Sequence, residues 1–128
     1  MGSQRMVHVV DDDDAVRDSM RSLLEAHGLT VREYDSAGAF LSADGEEGGC
    51  LLLDLHMPGM SGLELLETLR EKHNDIPTIM MTGRSDAGLR ARAQRSGALA
   101  FLDKPVDEEQ LMSTIDRALS DNGAKLQL

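Results

Sequence analysis

Four short apolar runs in this sequence each end at residues whose side chains can do chemistry. The runs lead in order to Asp11-Asp12, to Asp54, to Thr82 and to Lys104. Three carboxylates, a hydroxyl and an ammonium at one edge of a sheet could bind a divalent cation and hold a phosphoryl group. These residue types therefore predict a phosphoryl-transfer site, provided that the fold brings the ends of the four runs together.

The carboxylates of Asp11, Asp12 and Asp54 point to a hard cation. Crowded carboxylates repel one another, and only a cation or a proton relieves that repulsion. Mg²⁺ prefers oxygen ligands and commonly takes one or two carboxylates together with water and phosphate oxygens. We therefore expect Mg²⁺ here, with Mn²⁺ as the alternative. The adjacent Asp13 and Asp14 are expected instead to cap the following helix, where negative charge is favourable.

The other site residues leave alternatives open when each is considered by itself. Asp54 could be a cation ligand only, or also a nucleophile that forms an acyl phosphate. Lys104 precedes Pro105, which would stiffen the loop around a fixed ammonium, yet a lone Lys-Pro pair indicates little. Thr82 offers a hydroxyl beside Gly83, a pair that by itself is more typical of a plain turn.

The runs that carry these residues belong to a regular alternation of strands and helices. Apolar runs predict strands over residues 6–10, 30–34, 50–53, 76–81 and 98–102, and helical periodicity follows each one. Ser36 and Ser85 are predicted N-caps of the second and fourth helices, and Gly28 and Gly97 are predicted to end the first and fourth. Five successive βα units result.

Such alternation predicts an α/β fold: one doubly wound, flavodoxin-like (βα)5 domain with a five-stranded parallel sheet and helices on both faces. We expect the domain over residues 5–120, a disordered N-terminus or expression remnant over 1–4, and a tail or the start of a linker over 121–128. Ligands of such sheets bind beyond the carboxyl ends of the strands, where the strand order reverses. That rule would bring the candidate residues together.

The composition narrows the function classes further. The chain has 128 residues and a formal charge of −10, from 13 basic and 23 acidic residues, which argues against nucleic-acid binding by this domain itself. Apolar residues make up 41% of the sequence without forming a membrane span, and a signal peptide is not evident, so we expect a cytoplasmic protein. Cys50, the single cysteine, is predicted to be a buried, inert thiol.

The motifs together resemble the receiver domain of bacterial two-component response regulators, whose fold is CheY-like. The resemblance is carried by Val9-Val10-Asp11-Asp12, by Leu53-Asp54-Leu55-His56-Met57-Pro58-Gly59-Met60-Ser61-Gly62, by Met81-Thr82-Gly83 and by Phe101-Leu102-Asp103-Lys104-Pro105. It covers about residues 5–120, and the motif sequences are most similar to those of the FixJ-like branch of the NarL/LuxR-type transcriptional regulators.

The resemblance implies a role for each residue of the metal site. Asp54 would accept a phosphoryl group from the phosphohistidine of a sensor histidine kinase. Asp12, Asp54 and the backbone carbonyl of His56 would bind Mg²⁺ directly, whereas Asp11 would act mainly through a water molecule. Lys104 and the cation would neutralise the phosphoryl oxygens.

The resemblance also implies a switch. Thr82 would close on the phosphoryl group, and Phe101 would turn inward in response, unless Phe101 is simply a core residue. The surface formed by the fourth helix, fifth strand and fifth helix would then change its partners. The His56 side chain, beside the acceptor, would either tune access or merely be exposed.

The implied protein is a signalling phosphoacceptor, not an enzyme, although it would assist its own phosphorylation and dephosphorylation. Its partners would be a sensor kinase and, after phosphorylation, a second copy; it would control transcription through a DNA-binding domain missing from this chain. A stand-alone receiver and a degenerate protein-interaction module remain as alternatives. A Mg²⁺-dependent phosphatase of similar topology fits less well, because it would need a second aspartate where this chain has His56.

Overall fold

Five strands and five helices alternate along the chain in the computed structural model, which describes residues 5–43, 48–84 and 86–126, residues 121–126 by their backbone alone. The strands are β1 (Met6–Val10), β2 (Thr30–Tyr34), β3 (Cys50–Asp54), β4 (Thr78–Thr82) and β5 (Ala100–Asp103). The helices are α1 (Asp14–Ala26), α2 (Ala37–Ser42), α3 (Gly62–Glu71), α4 (Ala87–Arg95) and α5 (Glu108–Leu126). The predicted (βα)5 fold is confirmed.

All five strands are parallel, in the order β2-β1-β3-β4-β5. The order reverses between β1 and β3, which are neighbours in the sheet. In this register Val10 pairs with Leu53, Asp54 with Met81, and Thr82 with Asp103. The carboxyl ends of β1, β3, β4 and β5 therefore meet at one edge, as the site requires.

Two apolar layers cover the sheet, because successive side chains of a strand point to opposite faces. One layer packs against α1 and α5 and the other against α2, α3 and α4. Alternate residues of β3 divide between them: Cys50 and Leu52 face the first layer, and Leu51 and Leu53 face the second. Every residue of β1, β3 and β4 is buried, which fixes these strands as the rigid base of the site.

Side-chain caps set where the helices begin. Asp13 is the N-cap of α1 and accepts hydrogen bonds from the backbone N–H groups of Ala15 and Val16, as predicted. Ser36 caps α2 in the same way. Ser61 and Glu64 form a reciprocal capping box at the start of α3. These caps tie the loops at the carboxyl edge of the sheet to the first turns of the helices that follow.

Two strands begin two residues later than predicted, and β3, β4 and β5 each end one residue later than predicted, at Asp54, Thr82 and Asp103. β4 begins at Thr78 rather than at residue 76, because Pro77 has no N–H and the Asn74 side chain accepts the Ile76 N–H in a turn. β5 begins at Ala100 rather than at residue 98, because the Ala98 N–H bonds to the Ala93 carbonyl at the end of α4. Both apolar runs thus begin in the connection that precedes the strand.

The N-cap of α4 is Asp86, whose carboxylate accepts hydrogen bonds from Gly88 and Leu89; the predicted cap, Ser85, lies outside the described residues. The predicted N-terminal segment 1–4 also lies outside them. α5 continues to Leu126, through most of the segment for which a tail or linker is predicted. Within the described part of the chain, no helix combines the length and apolarity needed to cross a lipid bilayer.

Candidate functional site

A cleft of about 440 Å³ opens at the carboxyl edge of the sheet. Its walls come from the loops after β1, β3, β4 and β5, as the strand order predicts. The residues that line it include most of the predicted site: Asp11, Asp12, Asp13, Val16, Asp54, His56, Gly83, Arg84 and Lys104. The fold thus gathers residues that are up to 93 positions apart in sequence.

Three carboxylates meet inside this cleft. One oxygen from each of Asp11, Asp12 and Asp54 lies within 4.8 Å of the other two. Asp11 and Asp54 are buried, at 1% and 5% exposure, whereas Asp12 is exposed. Oxygen donors of this number and spacing, with one side open to water, fit Mg²⁺ well, because that ion favours oxygen and retains water ligands.

The ammonium of Lys104 lies against the same carboxylates. Its Nζ donates to Asp54 Oδ1 at 3.0 Å and to Asp11 Oδ2 at 3.3 Å. The Lys104 backbone N–H donates to the Thr82 carbonyl at 2.7 Å, so the end of β4 positions the lysine. The Lys104-Pro105 peptide bond is cis. A fixed cation therefore stands beside the acidic cluster, as predicted.

Burial and charge shift the proton equilibria of this pair. Burial raises the pKa of Asp54; the hydrogen bond from Lys104 lowers it, and the charges of Asp11 and Asp12 raise it again, so that the net shift is upward. Burial lowers the pKa of Lys104, but its contacts with Asp54 and Asp11 outweigh burial and the net shift is also upward. Asp54 thus carries a charge that the folded protein solvates poorly, whereas Lys104 stays protonated.

Thr82 is fully buried at the end of β4, and its hydroxyl is occupied by the following turn. The hydroxyl donates to the Arg84 carbonyl and accepts from the Arg84 N–H, both at 3.0 Å. Contact with a ligand in the cleft would require the hydroxyl to exchange these partners. The structure therefore puts Thr82 in a closed turn beside the cleft.

Phe101 lies outside the cleft, on β5, where it is half-buried against the apolar layer of α2, α3 and α4. The guanidinium of Arg90, from α4, lies 4.5 Å from the centre of its ring. The same guanidinium is 3.4 Å from both carboxylate oxygens of Asp103. The predicted switch residue is thus neither fully exposed nor a fully buried core residue, and it is linked to α4 by a cation.

His56 and Cys50 are the other two residues that the sequence singled out. The His56 side chain is exposed at the rim of the cleft. Cys50 is buried as predicted, and burial raises the pKa of its thiol to about 12, so that it is protonated and unreactive at neutral pH.

Residues that the sequence reasoning missed also support the site. Arg17 donates to the backbone carbonyl of Asp11 at 2.7 Å, and Arg90 lies over Phe101. A β-carbon at Gly62 would lie 2.2 Å from the Asp54 carbonyl oxygen, so that only glycine fits there. Gly62 is the last residue of the motif that begins at Leu53, which was a usable signal; nothing in the pattern distinguishes these two arginines from others on the surface.

The domain matches one known family along most of its length. A family model described as "Response regulator receiver domain" matches residues 7–116. The transcriptional regulatory protein FixJ of Azorhizobium caulinodans is 45% identical over 114 residues, covering 88% of this chain and 54% of that protein. The transcriptional regulatory protein TdiR of Thauera aromatica is 39% identical, covering 94% of this chain and 54% of that protein. This chain thus spans about half the length of these relatives.

Solved structures agree with this match. The response regulator StyR superimposes with a TM-score of 0.90 at 40% identity, over 98% of this chain and 64% of that one. A structure described as FixJ-N superimposes with a TM-score of 0.86 at 38% identity, over 94% of this chain and 96% of that one. The similarity of these structures extends over the whole βα succession described above.

Proposed function

We propose that Asp54 is the phosphoacceptor of this chain, which belongs to the response regulator receiver domain family. The observation that carries this proposal is the position of Lys104 Nζ, 3.0 Å from Asp54 and 3.3 Å from Asp11. A nucleophilic carboxylate beside a fixed ammonium and two further carboxylates suits the transfer of a phosphoryl group. The donor is the phosphohistidine of a sensor kinase.

In the transfer, one carboxylate oxygen of Asp54 attacks the phosphorus in line with the bond to the donor. The new O–P bond forms as the P–N bond to the kinase histidine breaks, and that nitrogen keeps the electron pair. Lys104 pairs with the phosphoryl oxygens, where the charge must be stabilised. The domain thus assists its own phosphorylation, and water attacking the same phosphorus later breaks the O–P bond, which releases inorganic phosphate and restores the Asp54 carboxylate.

The acidic cluster holds Mg²⁺ for this reaction. Asp12, Asp54 and the backbone carbonyl of His56 would hold the ion, and Asp11 would act on it through water. When bound, the ion supplies charge that neutralises the phosphoryl oxygens. The cluster supports this role because its three carboxylate oxygens lie within 4.8 Å of one another.

The phosphoryl group then acts on Thr82 and Phe101. The Thr82 hydroxyl leaves the Arg84 backbone and donates to a phosphoryl oxygen. The loop after β4 moves with it, and Phe101 turns inward from its half-buried position. The surface of α4, β5 and α5 changes shape as a result, which favours one set of partners over another.

We also propose that this domain regulates transcription in the cytoplasm. The FixJ and TdiR relatives are named transcriptional regulators, and this chain covers only 54% of either. The part of such a regulator outside the receiver domain would include a DNA-binding output domain. After phosphorylation, a second copy would bind the α4-β5-α5 surface, and this binding would couple the receiver domain to the output domain.

Intact mass spectrometry after incubation with acetyl phosphate and Mg²⁺ tests the acceptor. We expect one phosphoryl adduct that is stable in acid and labile in base. Asp54→Asn and a chelator should each abolish it. Asp75→Asn is the matched control, because Asp75 is exposed and precedes β4, away from the carboxyl edge of the sheet; its adduct should equal that of the parent.

An undiminished adduct in Asp54→Asn would refute the acceptor assignment. A parent protein that forms no adduct with acetyl phosphate or with any histidine kinase would favour a receiver that acts only through protein contacts.

A further inference from the structure

Arg17, on α1, makes three separate contacts, and one of them reaches the acidic turn of the cleft at residues 11–13. One terminal nitrogen donates to the Asp11 backbone carbonyl at 2.7 Å. The other donates to the Asp14 carboxylate, and Nε lies 3.5 Å from Glu33 Oε1 on β2. The side chain is only 14% exposed. It therefore bridges β1, α1 and β2 at the point where the candidate metal ligands begin.

The N–H, the carbonyl and both carboxylate oxygens of Asp11 each have a hydrogen-bonding partner. Its N–H donates to the Tyr34 carbonyl at 3.2 Å and its carbonyl accepts from Arg17. One carboxylate oxygen accepts from the Asp13 N–H at 2.9 Å, and the other contacts Lys104. Arg17 provides the side-chain contact to the Asp11 backbone, and this backbone leads directly to Asp12.

The charge of Arg17 is already offset by its own partners. Asp14 and Glu33, the second of which is shared with Arg21, carry two negative charges beside this guanidinium. Arg17 therefore adds little net positive charge that would compete with a cation in the cleft. Its contribution is geometric, and the planar fork of arginine can make three contacts that a lysine ammonium on the same stem cannot reproduce.

We propose that Arg17 is a positioning residue for the divalent-cation site. By holding the Asp11 carbonyl, it keeps the turn in the conformation that points the Asp11 and Asp12 carboxylates toward Asp54. This inference rests on the proposed function, since it assumes that the three carboxylates bind Mg²⁺. Groups that orient metal ligands typically change metal affinity by about 10- to 100-fold when removed.

Arg21 offers a matched control one helical turn further along α1. It also pairs with Glu33, at 2.5 Å, and with Glu25, at 3.0 Å. Within the part of the chain that the structure describes, its hydrogen bonds and ion pairs go to these two glutamates and not to Asp11 or another residue of the cleft. Arg17 and Arg21 thus share a helix, a charge and a partner, and they differ in the contact with the acidic turn.

Calorimetric titration with MgCl₂ alone tests the proposal on the parent protein, Arg17→Met, Arg17→Lys and Arg21→Met. We expect both Arg17 variants to bind Mg²⁺ about tenfold more weakly and Arg21→Met to stay within about twofold of the parent. Arg17→Met keeps the apolar stem; Arg17→Lys keeps the charge and serves if the methionine variant does not fold. Urea unfolding of each variant without metal shows whether affinity follows stability.

Adduct formation from acetyl phosphate supplies a second measurement. Because Arg17 acts on the cation site, the slower rate of Arg17→Met should return to the parent value at saturating Mg²⁺. Parent-like Mg²⁺ affinity in both Arg17 variants, or an equal loss in Arg21→Met, would overturn the positioning role while leaving the acceptor assignment intact. A parent protein that binds no Mg²⁺ would instead remove the metal part of the proposed function and this inference with it.

Discussion

The guanidinium of Arg90 lies 4.5 Å from the ring centre of Phe101 and 3.4 Å from the carboxylate of Asp103. One side chain of α4 thus contacts β5 on both sides of Leu102, within one residue of Lys104. A cation over an aromatic face favours the ring position that it covers. In the unphosphorylated protein, this contact should favour the half-buried position of Phe101.

A double-mutant cycle measures that contact directly. Arg90→Met, Phe101→Leu and the double variant should show a coupling free energy of about 0.5 to 1 kcal/mol in urea unfolding, because the pair is partly exposed. Arg92→Met in the same cycle with Phe101→Leu should show no such coupling, because Arg92, also on α4, pairs with Glu67 of α3. Strict additivity of the Arg90 and Phe101 effects would show that the ring gains nothing from the guanidinium.

The sequence predicted the strands best where apolar runs end in charge. β1 and β2 have the predicted bounds, since Asp11 and Asp35 follow them directly, whereas β3 runs one residue further than predicted and includes Asp54. β4 and β5 were misplaced, because the apolar residues before them are held in turns and connections by backbone hydrogen bonds that composition does not reveal. Length and hydrophobicity identify a strand more reliably than they locate its first residue.

The sequence likewise predicted one part of the candidate site and not another. The four motifs predicted that Asp11, Asp12, Asp54 and Lys104 would meet, because strand order alone brings their loops together. The contacts of Arg17 and Arg90 could not be predicted in this way. A long flexible side chain reaches partners on other elements, and the choice of partner depends on the packing of whole helices rather than on local pattern.

The raised pKa of Asp54 predicts how Asp54→Asn affects stability across pH. The folded protein binds this proton more readily than the unfolded chain does, whose pKa is near 3.8. The contribution of the group to stability is therefore full below that pH and is lost as pH rises through the folded-state pKa. Asp54→Asn should be more stable than the parent at neutral pH, with a gap that widens as pH rises above 3.8 and then levels off.

Urea unfolding of both proteins in chelator, from about pH 3.5 to about pH 7.5, checks this prediction. A gap that stays constant or narrows with rising pH would mean that burial does not penalise the Asp54 charge.

Gly62 should tolerate no side chain. A β-carbon there would lie 2.2 Å from the Asp54 carbonyl oxygen and 3.0 Å from the Leu55 Cα. Gly62→Ala should therefore lower the free energy of unfolding by about 1 to 3 kcal/mol and slow phosphoryl uptake, because the start of α3 or the Asp54 backbone must move.

Gly38, inside α2, is the matched control for that substitution. Among the residues that the structure describes, its β-carbon would meet only the Ser36 hydroxyl, at 3.9 Å. Gly38→Ala should stabilise the protein by up to about 1 kcal/mol through helix propensity. Equal effects of the two alanine substitutions in urea unfolding would contradict the steric argument for Gly62.

Lys104→Ala should change both the rate and the pH dependence of phosphoryl uptake. Its hydrogen bond lowers the pKa of Asp54, so that without it the carboxyl group ionises at higher pH and the nucleophile is available over a narrower range. The variant also lacks the ammonium that pairs with the phosphoryl oxygens, which should slow uptake by on the order of 100-fold without abolishing it.

Initial rates of adduct formation from acetyl phosphate, measured by intact mass against pH at saturating Mg²⁺, separate these two effects. We expect the half-maximal pH to move upward and the plateau to fall. A lower plateau with an unchanged half-maximal pH would mean that Lys104 serves the phosphoryl group alone and does not govern the ionisation of Asp54. An unchanged plateau would mean that the cation alone neutralises the transferred charge, even though Lys104 lies 3.0 Å from the attacking carboxylate.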